Sequence, residues 1–122
     1  MKIGIIGTRR RNTEKDFKLT EKKFLSIYKK GDTLVSGGCP KGGDRFAEII
    51  SEKYRIPITI FRADWKNKGK IAGFLRNTNI AEDSDILIAC VSSDRTGGTE
   101  DTIKKYLKLG KKELILIKLY IK

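Results

Sequence analysis

The segment that decides the fold reads Val35-Ser36-Gly37-Gly38-Cys39-Pro40-Lys41-Gly42-Gly43-Asp44. Four of the seven residues from Gly37 to Gly43 are glycines, and they lie between an apolar run and a segment with helical periodicity. A backbone this bare lets a phosphate group approach main-chain N–H groups, and the following helix would direct the positive end of its dipole toward that phosphate. The segment therefore predicts a strand, a phosphate-binding loop and a helix in succession.

Strands and helices are predicted to alternate along the rest of the chain. The strands are continuous apolar runs, which is typical of a parallel sheet covered by helices on both faces. Right-handed crossovers favour a doubly wound, Rossmann-like α/β fold with the strand order 3-2-1-4-5. The predicted strands are residues 2–7, 33–36, 58–61, 85–90 and 113–117, and the predicted helices are residues 12 or 13 to about 30, 43–54, about 71–82 and about 99–109, with an irregular stretch from 62 to about 70.

Three loops are expected to meet at one edge of this sheet. Ligands of doubly wound sheets bind beyond the carboxyl ends of the strands where the strand order reverses, which here is between strands one and four. The loops at Gly7-Thr8, Gly37–Gly43 and Gly97–Thr99 follow strands one, two and four, which are neighbours in the predicted order. Their convergence suggests a nucleotide-type pocket, although neither the Walker pattern nor the dinucleotide-binding fingerprint is present.

The composition limits the classes of function. A length of 122 residues predicts a single domain, residues 1–122, without a linker. The net charge of +12 favours a polyanionic partner such as a nucleotide or nucleic acid, or else reflects a lysine-rich solubilising surface. The absence of histidine removes serine–histidine and cysteine–histidine catalysis and most zinc sites, so no metal is expected. The strand-like start and the lack of a long apolar run predict a cytoplasmic protein without membrane contact.

Two basic clusters and one tryptophan are further candidates for ligand contact. Arg9-Arg10-Arg11 follows the first strand, and a second cluster joins three lysines of residues 66–70 to Arg76. Trp65 would either close the rim of the core or stack on a base.

Polar side chains accompany the glycine loops, and each has a structural alternative. Asp44 would either cap the second helix or hold a ribose hydroxyl. Arg76-Asn77 would either lie on a solvated helix face or meet a phosphate or leaving base. Glu100 and Asp101 either suit the dipole of the fourth helix or assist hydrolysis at a ribose carbon. The predicted ligand-binding residues are Gly7, Thr8, Arg9, Ser36, Gly37, Gly38, Gly42, Gly43, Asp44, Arg76, Asn77, Gly97, Gly98 and Thr99.

Several segments resemble one superfamily, in the same order along nearly the whole chain. Val35–Glu48 resembles the signature of the SLOG superfamily, which unites the DNA-processing protein DprA (Smf) with the Lonely Guy proteins. Residues 61–65, 72–77, 81–85 and 97–99 are similar to its small YspA-like branch. The resemblance implies a Rossmann-like fold that binds a nucleotide or derivative, such as an ADP-ribose- or NAD-like molecule, with no other cofactor required.

The resemblance leaves three activities open. Lonely Guy enzymes release a base from a nucleoside monophosphate, and Arg76 matches their arginine before the fourth strand. Their second glycine motif is shortened here, and Thr102 occupies the position of its glutamate, so Arg76 with Asp101 or Glu100 would be catalytic only in a hydrolase. DprA-like members imply binding of single-stranded nucleic acid. We expect the third activity, binding or sensing of a small nucleotide ligand, in a protein that forms a homodimer.

Overall fold

Strands and helices alternate throughout residues 1–118, which are the residues that the structure, a computed structural model, describes. All strand pairs are parallel and the order is β3-β2-β1-β4-β5, so the predicted α/β, Rossmann-like fold is confirmed. The strands are β1 (Lys2–Gly7), β2 (Thr33–Ser36), β3 (Ile58–Ile60), β4 (Ile86–Cys90) and β5 (Leu114–Ile117). The helices are α1 (Glu14–Ile27), α2 (Gly43–Tyr54), α3 (Trp65–Lys68), α4 (Ala72–Asp83) and α5 (Gly98–Lys108), with a 3₁₀ turn at Gly69–Ile71.

Apolar side chains cover both faces of the sheet because successive residues of a strand point to opposite sides. Ile5 of β1 packs in one buried cluster with Phe46 of α2, a cluster to which α1 also contributes. The next residue, Ile6, belongs to a second cluster with Ile80 of α4 and Ile103 of α5. Helices α1 and α2 therefore cover one face of the sheet, and α4 and α5 cover the other.

Helix α1 begins where the sequence predicts and ends earlier. Thr13 and Asp16 form a capping box, in which the backbone N–H of Asp16 donates to Oγ1 of Thr13 at 3.2 Å. The helix ends at Ile27 because Tyr28 adopts extended backbone angles, so the predicted end near residue 30 is wrong. Leu25 is exposed because it follows the fully buried Phe24 by one residue, about 100° around the helix.

The predicted irregular stretch after β3 contains helix α3 and the 3₁₀ turn. Asp64 caps α3 by accepting the backbone N–H of Asn67 at 3.3 Å. No residue of α3 or of the turn is buried, so this segment has no apolar periodicity from which a helix could be predicted. The consequence for the site is that Trp65 and Lys70 lie close to the start of α4.

Candidate functional site

A cavity of about 460 Å³ lies at the carboxyl end of β1, beside the starts of α4 and α5. This is the edge at which ligands bind in sheets of this topology, and the volume is within the range of small-molecule sites, roughly 300–1,000 Å³. Nine of the predicted ligand-binding residues are among those that line it. They are Gly7, Thr8, Arg9, Asp44, Arg76, Asn77, Gly97, Gly98 and Thr99.

The other predicted site residues do not line this cavity. Most of them belong to the first glycine loop, the segment from Gly37 to Gly42 between β2 and α2, or adjoin it. These residues are Ser36, Gly37, Gly38, Gly42 and Gly43, together with the two carboxylates proposed for hydrolysis, Glu100 and Asp101.

Close packing explains the last two glycines at the start of α2. A Cβ atom on Gly43 would lie 2.1 Å from the backbone carbon of Ile6, and one on Gly42 would lie 2.4 Å from the carbonyl oxygen of Thr8. Helix α2 therefore approaches β1 and the loop after it too closely for any side chain at these positions. These two glycines allow one backbone segment to pack against another. The sequence had suggested that they allow a phosphate to approach the backbone.

Asp44 lies in the first turn of α2 and holds the first glycine loop. Gly42 is the N-cap of α2 and the helix has no side-chain cap, so the capping role predicted for Asp44 is wrong. The Asp44 carboxylate instead accepts the backbone N–H of Cys39 at 3.0 Å. Burial raises the pKa of the Asp44 carboxyl above its ordinary value, while the Cys39 N–H and the charge of Arg76 oppose that shift.

Arg76 and Asn77 of α4 connect the first glycine loop to the start of α5. Nη1 of Arg76 donates to the carbonyl oxygen of Gly37 at 2.7 Å, and its Nε donates to Oδ1 of Asn77 at 3.1 Å. Nδ2 of Asn77 in turn donates to the carbonyl oxygen of Gly98 at 3.3 Å and to Asp101 at 3.1 Å. Both side chains line the cavity, and together they are hydrogen-bonded to Gly37 and Gly98. Neither residue therefore lies on a purely solvated helix face.

The N-terminus of α5 opens toward the cavity. Gly97, its N-cap, has a φ of 105°, and no side chain caps the helix. A Cβ atom on Gly97 would meet nothing within 4 Å, and one on Gly98 would meet only Nδ2 of Asn77 at 3.9 Å. The second glycine segment, Gly97–Gly98, thus leaves the first N–H groups of α5 beside the cavity, where the helix dipole favours an anion.

Three adjacent arginines after β1 have three different environments. Arg11 is buried and donates through Nε to Asp16 at 3.0 Å. Its Nη1 donates to the carbonyl oxygens of Val91, which follows β4, and of Ile117, the last residue of β5. Arg10 lines the cavity and forms two 2.8 Å hydrogen bonds to the carboxylate of Asp94. The predicted basic cluster is therefore divided, and Arg9 is its one member on the cavity without an ion pair among the described residues.

Two exposed aromatic side chains form a wall of the cavity. Trp65 is 55% exposed and Phe74 is 58% exposed, so Trp65 does not close the core. The Trp65 ring lies against Gly73, where a Cβ atom would come within 3.1 Å of it. Lys70 lines the same side of the cavity. Sequence reasoning missed Phe74 because an aromatic residue in an amphipathic helix is ordinarily assigned to the core.

The two carboxylates of the hydrolase hypothesis are engaged elsewhere. Glu100 accepts Nε of Arg95 at 2.8 Å, and Asp101 accepts Nζ of Lys105 at 2.8 Å as well as Nδ2 of Asn77. Thr102, at the position of the glutamate in the resembling enzymes, lines the cavity and donates its hydroxyl to the carbonyl oxygen of Gly98 at 3.2 Å. Asp44 is the one carboxylate that lines the cavity among the described residues.

Comparisons with known proteins supply no relative: no protein-family model, curated protein or solved structure matches the chain. Within residues 1–118, no helix is both long and apolar enough to cross a membrane. The same residues contain no group of three or more Cys, Asp or Glu side chains placed to hold a metal ion. The expected superfamily, cytoplasmic location, homodimer and nucleic-acid partner stay predictions.

Proposed function

We propose that the protein binds a nucleotide or a nucleotide derivative, such as an ADP-ribose-like molecule, in the cavity at the carboxyl end of β1. One observation carries the proposal: the cavity has an uncapped helix N-terminus in one part of its wall and exposed aromatic rings in another. A nucleotide combines the two chemical groups that such walls recognise, an anionic phosphate and a flat aromatic base.

The phosphate would bind at the start of α5. The first N–H groups of that helix are donors without intrahelical acceptors, and the hydroxyl of Thr99 adjoins them. Arg9 lines the same cavity and has no ion pair among residues 1–118, so its guanidinium can meet the phosphate without first leaving a carboxylate. Thr8, from the same loop, adds a second hydroxyl. The +12 net charge of the chain adds a long-range attraction for the anion.

The base would bind at the aromatic wall. Trp65 and Phe74 are each more than half exposed and lie together in the cavity wall, so their rings are accessible to a base. Stacking on an aromatic side chain contributes about 1–3 kcal/mol per base, and it tolerates any base. Lys70 also lines the cavity and supplies a positive charge, which does not distinguish one base from another.

The contacts of the carboxylates favour binding over hydrolysis. Glu100 and Asp101 form ion pairs outside the cavity wall, and Thr102 has no carboxylate. Asp44 lines the cavity, but its carboxylate already accepts the N–H of Cys39, which stabilises the loop. Arg76, the remaining candidate for catalysis, would position the ligand through the guanidinium that it anchors on Gly37.

The test is calorimetric titration with adenosine 5′-monophosphate, ADP-ribose and ribose 5-phosphate. Trp65→Ala is expected to weaken the two adenine ligands by about 1–3 kcal/mol and to leave ribose 5-phosphate unchanged, because only stacking is removed. Tyr54→Leu is the matched control, since Tyr54 is a partly exposed aromatic residue that does not line the cavity. Absence of binding by all three ligands would refute the proposal, and release of free adenine from the monophosphate would favour the hydrolase instead.

A further inference from the structure

A second depression, of about 190 Å³, lies on the far side of Arg76 from the aromatic-walled cavity. Arg76 is common to the walls of both, so the two hollows are neighbours that share this side chain. Arg62, which follows β3, and Lys68, at the end of α3, add two further positive charges to the second hollow. Its remaining wall consists of Asp64, Ala72, Leu75 and Asn79.

The positive charge of this second hollow is only partly offset by acidic side chains. Among residues 1–118, no ion pair within 4.0 Å includes Arg62, Lys68 or Arg76. Asp64, the one acidic side chain in the wall, accepts the backbone N–H of Asn67 at 3.3 Å and its Nδ2 at 3.1 Å. Its carboxylate therefore serves to cap α3, and the hollow keeps an excess of two positive charges.

Both arginines reach carbonyl oxygens of the first glycine loop, Arg76 firmly and the exposed Arg62 at a longer distance, with most of their donors unused. Nη1 of Arg76 donates to the carbonyl oxygen of Gly37 at 2.7 Å, and Nη1 of Arg62 lies 3.5 Å from the carbonyl oxygen of Gly38. A guanidinium has five N–H donors; Arg62 uses one here and Arg76 uses two. Fixed guanidinium groups with free N–H donors are the usual protein partners of phosphate, because two parallel N–H bonds match two of its oxygens.

We infer that Arg62, Lys68 and Arg76 form a second phosphate-binding site. Because Arg76 lies between the two hollows, one ligand can fill both if it carries phosphates at two positions of its ribose. A nucleoside 3′,5′-bisphosphate has that arrangement, with the base at the aromatic wall and one phosphate on each side. This deepens the proposed nucleotide binding and rests on it for the identity of the ligand, whereas the phosphate site itself is also testable with free phosphate.

The experiment compares adenosine 5′-monophosphate, adenosine 3′,5′-bisphosphate and inorganic phosphate, followed by calorimetry and by the side-chain NMR signals of the arginines and lysines. Wild-type protein is expected to bind the bisphosphate about tenfold more tightly than the monophosphate, which corresponds to about 1.4 kcal/mol. The double variant R62Q/K68Q is expected to abolish that difference and to bind the monophosphate as the wild type does. The matched control K66Q/K112Q also removes two exposed positive charges, neither of which lines the hollow, and is expected to keep the difference.

The nucleotide titrations and the phosphate titration distinguish a failure of this inference from a failure of the proposed function. If inorganic phosphate shifts the signals of Arg62 and Lys68 while no nucleotide binds, the site stands with a free anion as its ligand and the proposed function fails. If the bisphosphate gains nothing over the monophosphate and phosphate leaves those signals unmoved, the second site is refuted. An equal loss in R62Q/K68Q and in the control also refutes it, because the effect would then be one of net charge.

Discussion

The first glycine loop, Gly37–Gly42, and the second glycine segment, Gly97–Gly98, have similar compositions and opposite surroundings. Glycines of the first loop and of the helix start that follows are crowded, and added Cβ atoms would meet backbone atoms within 2.1–2.4 Å at Gly43 and Gly42. Glycines of the second segment are open, with nothing within 4 Å of Gly97. Glycine is therefore required at Gly43 for close packing, at Gly42 for close packing and a positive φ, and at Gly97 for a positive φ alone.

The two regions therefore have different structural roles. The first loop is followed by α2, which packs against β1, and its carbonyl oxygens accept from two arginines; Cys39 is its one residue that lines the cavity. The second segment forms part of the cavity wall and exposes the N-terminus of α5 to any ligand. A glycine-rich sequence before a helix thus does not by itself mark the place where an anion binds.

The largest expected effect is that of Gly43→Ala on stability. The new methyl group would lie 2.1 Å from the backbone carbon of Ile6, and backbone cannot move aside as a flexible side chain can, so we expect a loss of about 3 kcal/mol or more in the free energy of unfolding. Gly98→Ala is the comparison, because its methyl group meets only Nδ2 of Asn77 at 3.9 Å and alanine favours the helix. Urea denaturation measures both. Equal losses would show that the two regions do not differ in packing.

A smaller effect is expected from Gly97→Ala, which tests the conformational role. Gly97 has a φ of 105°, so alanine would be strained there and would cost about 1–3 kcal/mol. Gly31→Ala is the matched control, since Gly31 has a φ of 97°, nothing within 4 Å of its Cβ position and no place in the cavity wall. Both variants should lose stability, and only Gly97→Ala should also weaken adenosine 5′-monophosphate in calorimetry. A similar loss of affinity in Gly31→Ala would argue against an anion site at α5.

The smallest effect is expected in the pH dependence of Asp44→Asn. Burial raises the pKa of Asp44 in the folded protein, so the native state binds its proton more tightly than the unfolded chain, and the group favours folding more as the pH falls through its folded pKa. The unfolding free energy of the wild type relative to Asp44→Asn should therefore increase between neutral pH and about pH 4. Denaturant titrations over that range measure it.

Asp32→Asn provides the control of opposite sign. Its hydrogen bonds to the N-terminal amine and to the backbone N–H of Lys29 lower the pKa of Asp32, so its contribution is present at neutral pH and is lost as the pH falls. The wild type should lose stability relative to Asp32→Asn as the pH falls below about 4, the ordinary pKa of an aspartate, and through the lowered folded pKa. A shared direction for the two variants would contradict the burial of Asp44 as the cause.

The fold was predictable because its signals are local. Each strand is a short apolar run, and residues such as Ile5 and Ile6 alternate between faces in any parallel sheet, so strand order and layering follow from pattern and handedness. Helix α3 could not be predicted, because all of its side chains are exposed and its sequence therefore has no apolar periodicity. The predicted end of α1 near residue 30 is wrong because Tyr28 adopts extended backbone angles, which the pattern of apolar residues does not indicate.

The candidate site was predictable only in part. The loops after β1 and before α5 do line the cavity, since topology alone brings the carboxyl ends of neighbouring strands together. Trp65 was a candidate for stacking on a base, but Phe74 was not predicted, because its exposure depends on what packs beside α4 and not on the spacing of its residues. Nor could the sequence tell which carboxylates already have partners, as Asp101 has in Asn77 and Lys105.

What the sequence by itself determined is the architecture: five parallel strands, their order, and the edge of the sheet where loops converge. Only the tertiary structure decided the role of each polar or glycine residue at that edge. Arg9, Arg10 and Arg11 are adjacent and chemically identical, yet their environments differ. The buried Arg11 donates to carbonyl oxygens of residues that lie 80 and 106 positions later in the chain. Arg10 forms an ion pair with a residue 84 positions later. The free energy of burying an apolar side chain is favourable in every strand, so the apolar pattern predicts the architecture. The role of a charged residue or a glycine depends instead on the atoms that the fold places next to it.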